Sequence, residues 1–142
     1  MMFKTILVPT DASEAAQRAL KVALELAKEL GSRIVLLHVV FTPEAMGYTL
    51  SSGISVPQEE ISIYGKEALT AATNGIDTGN VPIEKKQKPG HPGFAILEEI
   101  KSGNIDLVVM GNRGYGPIAG ALLGSVSQRV LNQAECPVMI IK

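Results

Sequence analysis

The sequence predicts a doubly wound α/β fold: one domain with a five-stranded parallel sheet in the order 3-2-1-4-5 and helices on both faces. Three observations predict it. Five short apolar runs, mostly β-branched, alternate with four segments whose apolar residues recur at helical spacing. Such a β-α-β alternation closes through right-handed crossovers over a parallel sheet. Residues suited to close contact with an anion follow the first and fourth runs, and they form one site only if those two strands are neighbours.

The strands are expected at residues 5–8, 33–40, 81–86, 106–110 and 138–141, and most read as buried on both faces because they run apolar without alternation. The first helix, 13–30, places Ala16, Ala19, Leu20, Ala23, Ala27 and Leu30 on one stripe and stops at Gly31, where a left-handed residue is needed. Its small alanines allow close packing on a sheet. The second, 58–73, aligns Ile61, Tyr64, Ala68, Leu69 and Ala72. A third begins at Pro92, which suits a first helical turn, and carries Ile96, Leu97 and Ile100. The fourth, 125–134, aligns Val126, Val130, Leu131 and Ala134. Residues 41–57, rich in Gly, Ser and Pro, read as a surface loop that either folds over a ligand or is a passive insertion.

A chain of 142 residues fits one domain, 1–142. Its 13 Lys and Arg against 14 Asp and Glu give a net charge of −1, which offers no positive field for nucleic acid. An anionic ligand must therefore be held by local geometry. At 46% hydrophobic and 19% charged residues the chain has material for a core and is not disordered. A single cysteine, Cys136, excludes an internal disulfide or a thiolate metal cluster and suits a reducing compartment, so the expected location is cytoplasmic. Cys136 itself reads as a buried, unreactive thiol. No run reaches the ~20 apolar residues of a membrane span, and no secretory leader is evident. His38 and His91 lie far apart without metal-ligand spacing; His38 reads as a satisfied core residue and His91 as part of a turn.

After the first strand come Pro9, Thr10, Asp11, Ala12, Ser13 and Glu14. Asp11 with Glu14 three residues on has the form of a capping box for the first helix, a role compatible with ligand contact. After the fourth strand come Gly111, Asn112, Arg113 and Gly114, and then Gly124 and Ser125 at the mouth of the fourth helix. Glycines let a loop approach phosphates without Cβ clashes and turn successive amides inward, and Ser125 adds a hydroxyl beside the exposed amides of a helix start. Arg113 either neutralises a phosphate or covers the sheet end. The segment from Gly114 to Ala119 also fits a dinucleotide pattern, but it follows the wrong strand and Pro117 interrupts it. GxxxxGK followed by Ser or Thr is absent, which excludes a P-loop mechanism.

The motifs ILVPTDASEAA, LLHVV, DLVVMGNRG, LLGSVSQRVL and CPVMII, covering nearly the whole chain, resemble the nucleotide-binding branch of the universal stress protein family. The most specific element, G-x2-G-x9-G-(S/T), is complete as Gly111, Gly114, Gly124 and Ser125. The resemblance implies an adenine-nucleotide alpha-hydrolase-like, Rossmann-like fold that binds ATP, with Mg²⁺ or Mn²⁺ accompanying the phosphates. The residues it implies are Pro9, Thr10 and Asp11, the backbone of Val39 at adenine, Met110, Gly111, Arg113 and Gly114, and Gly124, Ser125, Val126 and Ser127. It also implies that Asp11 faces the sugar or a metal and that the glycines and serine surround ribose and phosphates. Two departures stand out: Ala12 occupies the place of a usual glycine, and residues 115–123 carry none of the basic residues common in relatives.

The expected function is an ATP-binding switch of the stress response. No Glu or Gln is tied to the phosphate motif to activate a water, so hydrolysis is expected to be slow or partner-dependent at most. A short apolar last strand at a sheet edge invites pairing, and the resemblance likewise implies a homodimer, through Val138, Met139, Ile140 and Ile141. The alternative from another class is a nucleotide-free dimeric scaffold that engages an unknown protein partner; a third is a small hydrolase or phosphatase using Asp11 as nucleophile or metal ligand.

Overall fold

A computed structural model describes residues 2–41, 58–113 and 123–142. The loop expected at 41–57, apart from Phe41, and the stretch containing Gly114 lie outside them. The elements run β1 (Thr5–Pro9), α1 (Glu14–Leu30), β2 (Arg33–Val40), α2 (Gln58–Thr73), β3 (Ile83–Pro89), α3 (Pro92–Ser102), β4 (Leu107–Gly111), α4 (Ser125–Gln133) and β5 (Val138–Ile141). The sheet is parallel with order β3-β2-β1-β4-β5. The strand order therefore reverses between β1 and β4, and the loops after them leave from the same crevice.

Strand alternation divides the core into two layers. Ile6, Val8, Ile34, Leu36, Leu107 and Val109 face α1 and α2, meeting Ala19, Leu20, Ala23 and Leu69. Leu7, Val35, Leu37, Val39, Val108 and Met110 face α3 and α4, meeting Ile96, Ile100, Val126 and Val130. Successive residues of the three central strands thus serve opposite layers, which is why those strands read as unbroken apolar runs.

Four expectations need correction. The third strand lies at Ile83–Pro89 instead of 81–86, and it is polar. As an edge strand it shields only part of each face, so apolar patterning fails to mark it. Tyr64 and Leu131 were expected on buried stripes but are exposed, at 52% and 46%. On α2 the buried row passes instead through Gly65, where a Cβ would collide with the Gln87 side chain of β3. On α4 the buried place is taken by Ser127. The Asp11–Glu14 capping box does not form: Ser13 is the N-cap, its Oγ accepting from the Ala16 amide at 3.2 Å. His91, expected in a turn, caps α3 by accepting from the Gly93 amide at 3.1 Å through Nδ1. Gly31 stops α1 in the left-handed conformation as expected, with φ 67°. Burial pushes the Cys136 thiol up, which suppresses its thiolate.

One buried charge escaped the sequence reading. Glu99 of α3 has a side chain only 2% exposed, and it receives Lys86 Nζ at 2.8 Å and Lys88 Nζ at 3.0 Å from β3. Burial alone would push its carboxyl up, but the hydrogen bonds and charges of the two lysines outweigh that and hold it below the ordinary range. The bond to Glu99 in turn raises Lys86 above its usual 10.5. Glu99 therefore contributes stability above the unfolded carboxylate range and loses it as pH falls through the folded value, while the Lys86 contribution is lost only on the alkaline side. Urea unfolding between about pH 7 and about pH 3 should show a shallower acid limb in Glu99→Gln than in wild type. Lys86→Met with Lys88→Met should cost about 3 kcal/mol at neutral pH, more than Glu99→Gln, because it strands the buried carboxylate while the lysines can reach water.

Candidate functional site

The turn after β1 is held by its own side chains. Thr10 is buried, its amide bonded to the Leu37 carbonyl at 2.8 Å, and its Oγ1 accepts from the Ala12 amide at 3.0 Å. Asp11 Oδ1 accepts from the Ser13 amide at 3.0 Å, and Ser13 then caps α1. His38 Nδ1 donates to the Thr10 carbonyl at 2.8 Å from the neighbouring strand. This succession forces Ala12 to φ 66°, a left-handed conformation that glycine adopts without a Cβ penalty.

The turn after β4 is fixed by backbone bonds. The Asn112 amide donates to Ile141 at 3.0 Å, and the Asn112 carbonyl accepts from the Gly124 amide at 2.8 Å, which brings the start of α4 back against the end of β4. Ser127 Oγ donates to the Gly111 carbonyl at 2.9 Å and locks that return. At Gly111 a Cβ would stand 3.0 Å from the backbone of Ala15, so glycine lets α1 press on the tip of β4. Gly124 is the N-cap of α4 and makes no side-chain capping bond, so the amides of the first helical turn face outward without a cap. Asn112 Oδ1 is buried without a hydrogen-bond partner.

These two turns border a shallow cleft lined by Pro9, Asp11, Ala16, Met110, Gly111, Arg113, Gly124, Ser125, Val126 and Ser127. Nine of these were expected from the sequence. Thr10 lies beneath the lining, and Val39 is buried in the layer under α3 and does not line the cavity. Gly114 lies outside the described residues. Ala16 was missed as a lining residue, although the small residues at the start of α1 carried the signal. Asp11 is the one carboxylate of the lining, and the exposed Arg113 its one guanidinium. Uncapped amides, a serine hydroxyl and an apolar floor from Met110 and Val126 make a pocket for an anion attached to a flat apolar group. Among the described residues no cluster of three or more His, Cys, Asp or Glu could hold a metal ion, and no helix is long and apolar enough to cross a membrane.

The family model described as universal stress protein family matches residues 2–142. Universal stress protein MJ0531 of Methanocaldococcus jannaschii is 31% identical over 141 residues, covering 99% of this chain and 83% of that protein. Universal stress protein YxiE of Bacillus subtilis is 30% identical over 148 residues, covering 99% of this chain and all of the other. Among solved structures, the hypothetical protein MJ0577 superposes with a TM-score of 0.83 at 25% identity, covering 100% of this chain and 97% of its own. A universal stress protein from Archaeoglobus fulgidus in complex with dAMP gives 0.73 at 25% identity with full coverage of both chains. Another universal stress protein, in complex with cAMP, gives 0.67 at 27% identity, with 99% and 98% covered.

Replacing Ala12 by glycine should relieve the left-handed strain and raise stability by about 0.5–1 kcal/mol, net of the entropy glycine adds to the unfolded chain. Thermal unfolding checks this: the midpoint should rise by a few degrees, and a fall would show that Ala12 makes packing contacts worth more than the strain.

Proposed function

This chain belongs to the universal stress protein family, and from that premise we propose that residues 1–142 act as one ATP-binding domain, a nucleotide-dependent switch in the stress response. The observation that carries the reading is the convergence of the β1 and β4 turns on one cavity at the strand-order reversal, with the uncapped amides of α4 opening into it. Two solved relatives hold the adenine nucleotides dAMP and cAMP. The phosphates lie against Gly124, Ser125, Val126 and Gly111, where backbone amides supply the partial positive charge that the nearly neutral chain lacks. The family motif assigns Gly114, outside the described residues, to the same phosphate contact; Ser127 closes the floor of the cradle, and Arg113 adds positive charge at its mouth. The base lies over Pro9 and Met110, with Thr10 holding the turn beneath.

A divalent cation such as Mg²⁺ or Mn²⁺ fits as a companion of the phosphates, with Asp11 as its one carboxylate ligand; such ions are held by one or two carboxylates plus phosphate oxygens. Among the described residues lining the cavity, no Glu or Gln stands ready to orient a water, so binding and release, rather than rapid hydrolysis, define the switch.

The two sheet edges favour a homodimer through β5. At the β3 edge stand Glu84, Lys85, Lys86, Lys88 and Pro89, a composition that blocks strand addition. At the β5 edge stand Val138, Met139, Ile140 and Ile141, with Met139 37% exposed. The carbonyls of Pro137 and Ile141 bond inward to β4, so by alternation Val138 and Ile140 turn their backbone groups outward for a second copy.

Chromatography of the denatured supernatant should recover an adenine nucleotide from the purified protein, and ATP titration should show binding that Gly124→Val abolishes by placing a side chain in the cradle. An empty protein indifferent to millimolar adenine nucleotide would leave the nucleotide-free scaffold as the reading. Met139→Glu should shift the dimer to monomer in sedimentation velocity without lowering the melting temperature of the protomer by more than about 2 °C; an unchanged dimer would place the interface elsewhere.

A further inference from the structure

Outside the cavity lining, a row of rings and one cation crosses the carboxyl end of the sheet. Phe41, just after β2, lies 5.6 Å from the His91 ring, and His91 lies 5.2 Å from Phe94 in the first turn of α3. The Arg129 guanidinium of α4 sits 4.6 Å from the centre of Phe94. Phe94 is 59% exposed, so core packing does not account for it. Gly93 accounts for the fit of the arginine: a Cβ there would stand 2.7 Å from Arg129 Cδ, so the missing side chain lets the stem lie against the start of α3. Among the described residues Arg129 forms no ion pair with a carboxylate. Its charge is oriented but not neutralised.

Its position on α4 is one helical turn from a residue of the cavity lining. Arg129 follows Ser125 by four residues, which puts the two on one helical face a single turn apart. Side chains on a helix lean toward its N-terminus, so the Arg129 stem leans toward the first turn, where Ser125 and Val126 line the cavity, while its guanidinium rests over Phe94 at the start of α3. Stacking on a ring leaves the edge of the guanidinium, with its N–H fork, free for an oxyanion. Backbone amides are enough for the phosphate next to the ribose, and the relatives that hold dAMP and cAMP bear only one. A longer phosphate chain adds charge that the partial charges of amides cannot balance.

We propose that Arg129, held flat by Phe94, is the specificity-determining residue for phosphate-chain length: its fork takes the terminal phosphate of a nucleoside triphosphate and leaves the first phosphate to the amides of α4. This rests on the adenine-nucleotide reading of the cavity. The planar fork and its ring support matter as much as the charge, so lysine replaces Arg129 only in part.

The test is calorimetric titration of the full chain with ATP, ADP, AMP and inorganic tripolyphosphate at two salt concentrations, for wild type, Arg129→Gln, Arg129→Lys and Phe94→Leu. Arg129→Gln should weaken ATP and tripolyphosphate about ten-fold and AMP less than about two-fold, with a shallower salt dependence for ATP. Phe94→Leu and Arg129→Lys should fall between it and wild type. Equal losses for ATP and AMP, or undiminished ATP binding in Arg129→Gln, overturn the assignment. Equal affinity of wild type for ATP and AMP overturns it too while leaving the nucleotide reading intact, and a wild type that binds no adenine nucleotide overturns both.

Discussion

The contact on which the rest of the structure depends is the approach of α1 to the tip of β4, where the Ala15 backbone occupies the space that a side chain on Gly111 would need. That approach is possible because β1 and β4 are neighbours and the chain returns to opposite faces of the sheet from their ends. It closes the floor of the crevice, so that the β1 turn and the start of α4 meet above it. The bonds from Gly124 to Asn112 and from Ser127 to Gly111 then fix how far α4 stands from the strand. A longer side chain at either position would lift the helix start from the place where its amides converge.

The β1 turn serves the same geometry from the other side. Thr10, Asp11 and Ser13 each bond a backbone amide two or three residues on, so the polar side chains of the turn are largely occupied in shaping it. Asp11 uses one carboxylate oxygen in that work, so shaping the turn does not exhaust its capacity as an acceptor. Ala12 bears the strain of the arrangement, at a position where glycine would carry none.

The fold was legible because its signals are local and redundant: three central strands too apolar for a surface, helices stopped by Gly31 or started by Pro92, and a glycine spacing that makes sense only if β1 and β4 adjoin. The lining of the cavity was legible for the same reason, since backbone-built sites need glycine and small residues at fixed places. What the sequence concealed depends on partners distant in the chain. Glu99 reads as one more polar helical residue until Lys86 and Lys88 arrive from β3. Tyr64 fits the α2 stripe by spacing, but Gln87 of β3 sets which row faces inward, by seating against Gly65. The capping box failed because Ser13, one residue before the helix, is nearer to the amides that need an acceptor. The row from Phe41 to Arg129 draws on three separate elements, and no window of sequence contains it.

The unlike borders of the sheet carry a consequence for how far such molecules can assemble. The lysine-studded border of β3 resists accretion, whereas the bare border of β5 admits it. A body with one receptive side and one refractory side can accept a single neighbour in twofold register, after which only refractory borders remain outward. If two β5 rims pair as proposed, indefinite fibrous growth, the standing hazard of open β-structure, is forestalled by composition at one rim and by consumption at the other.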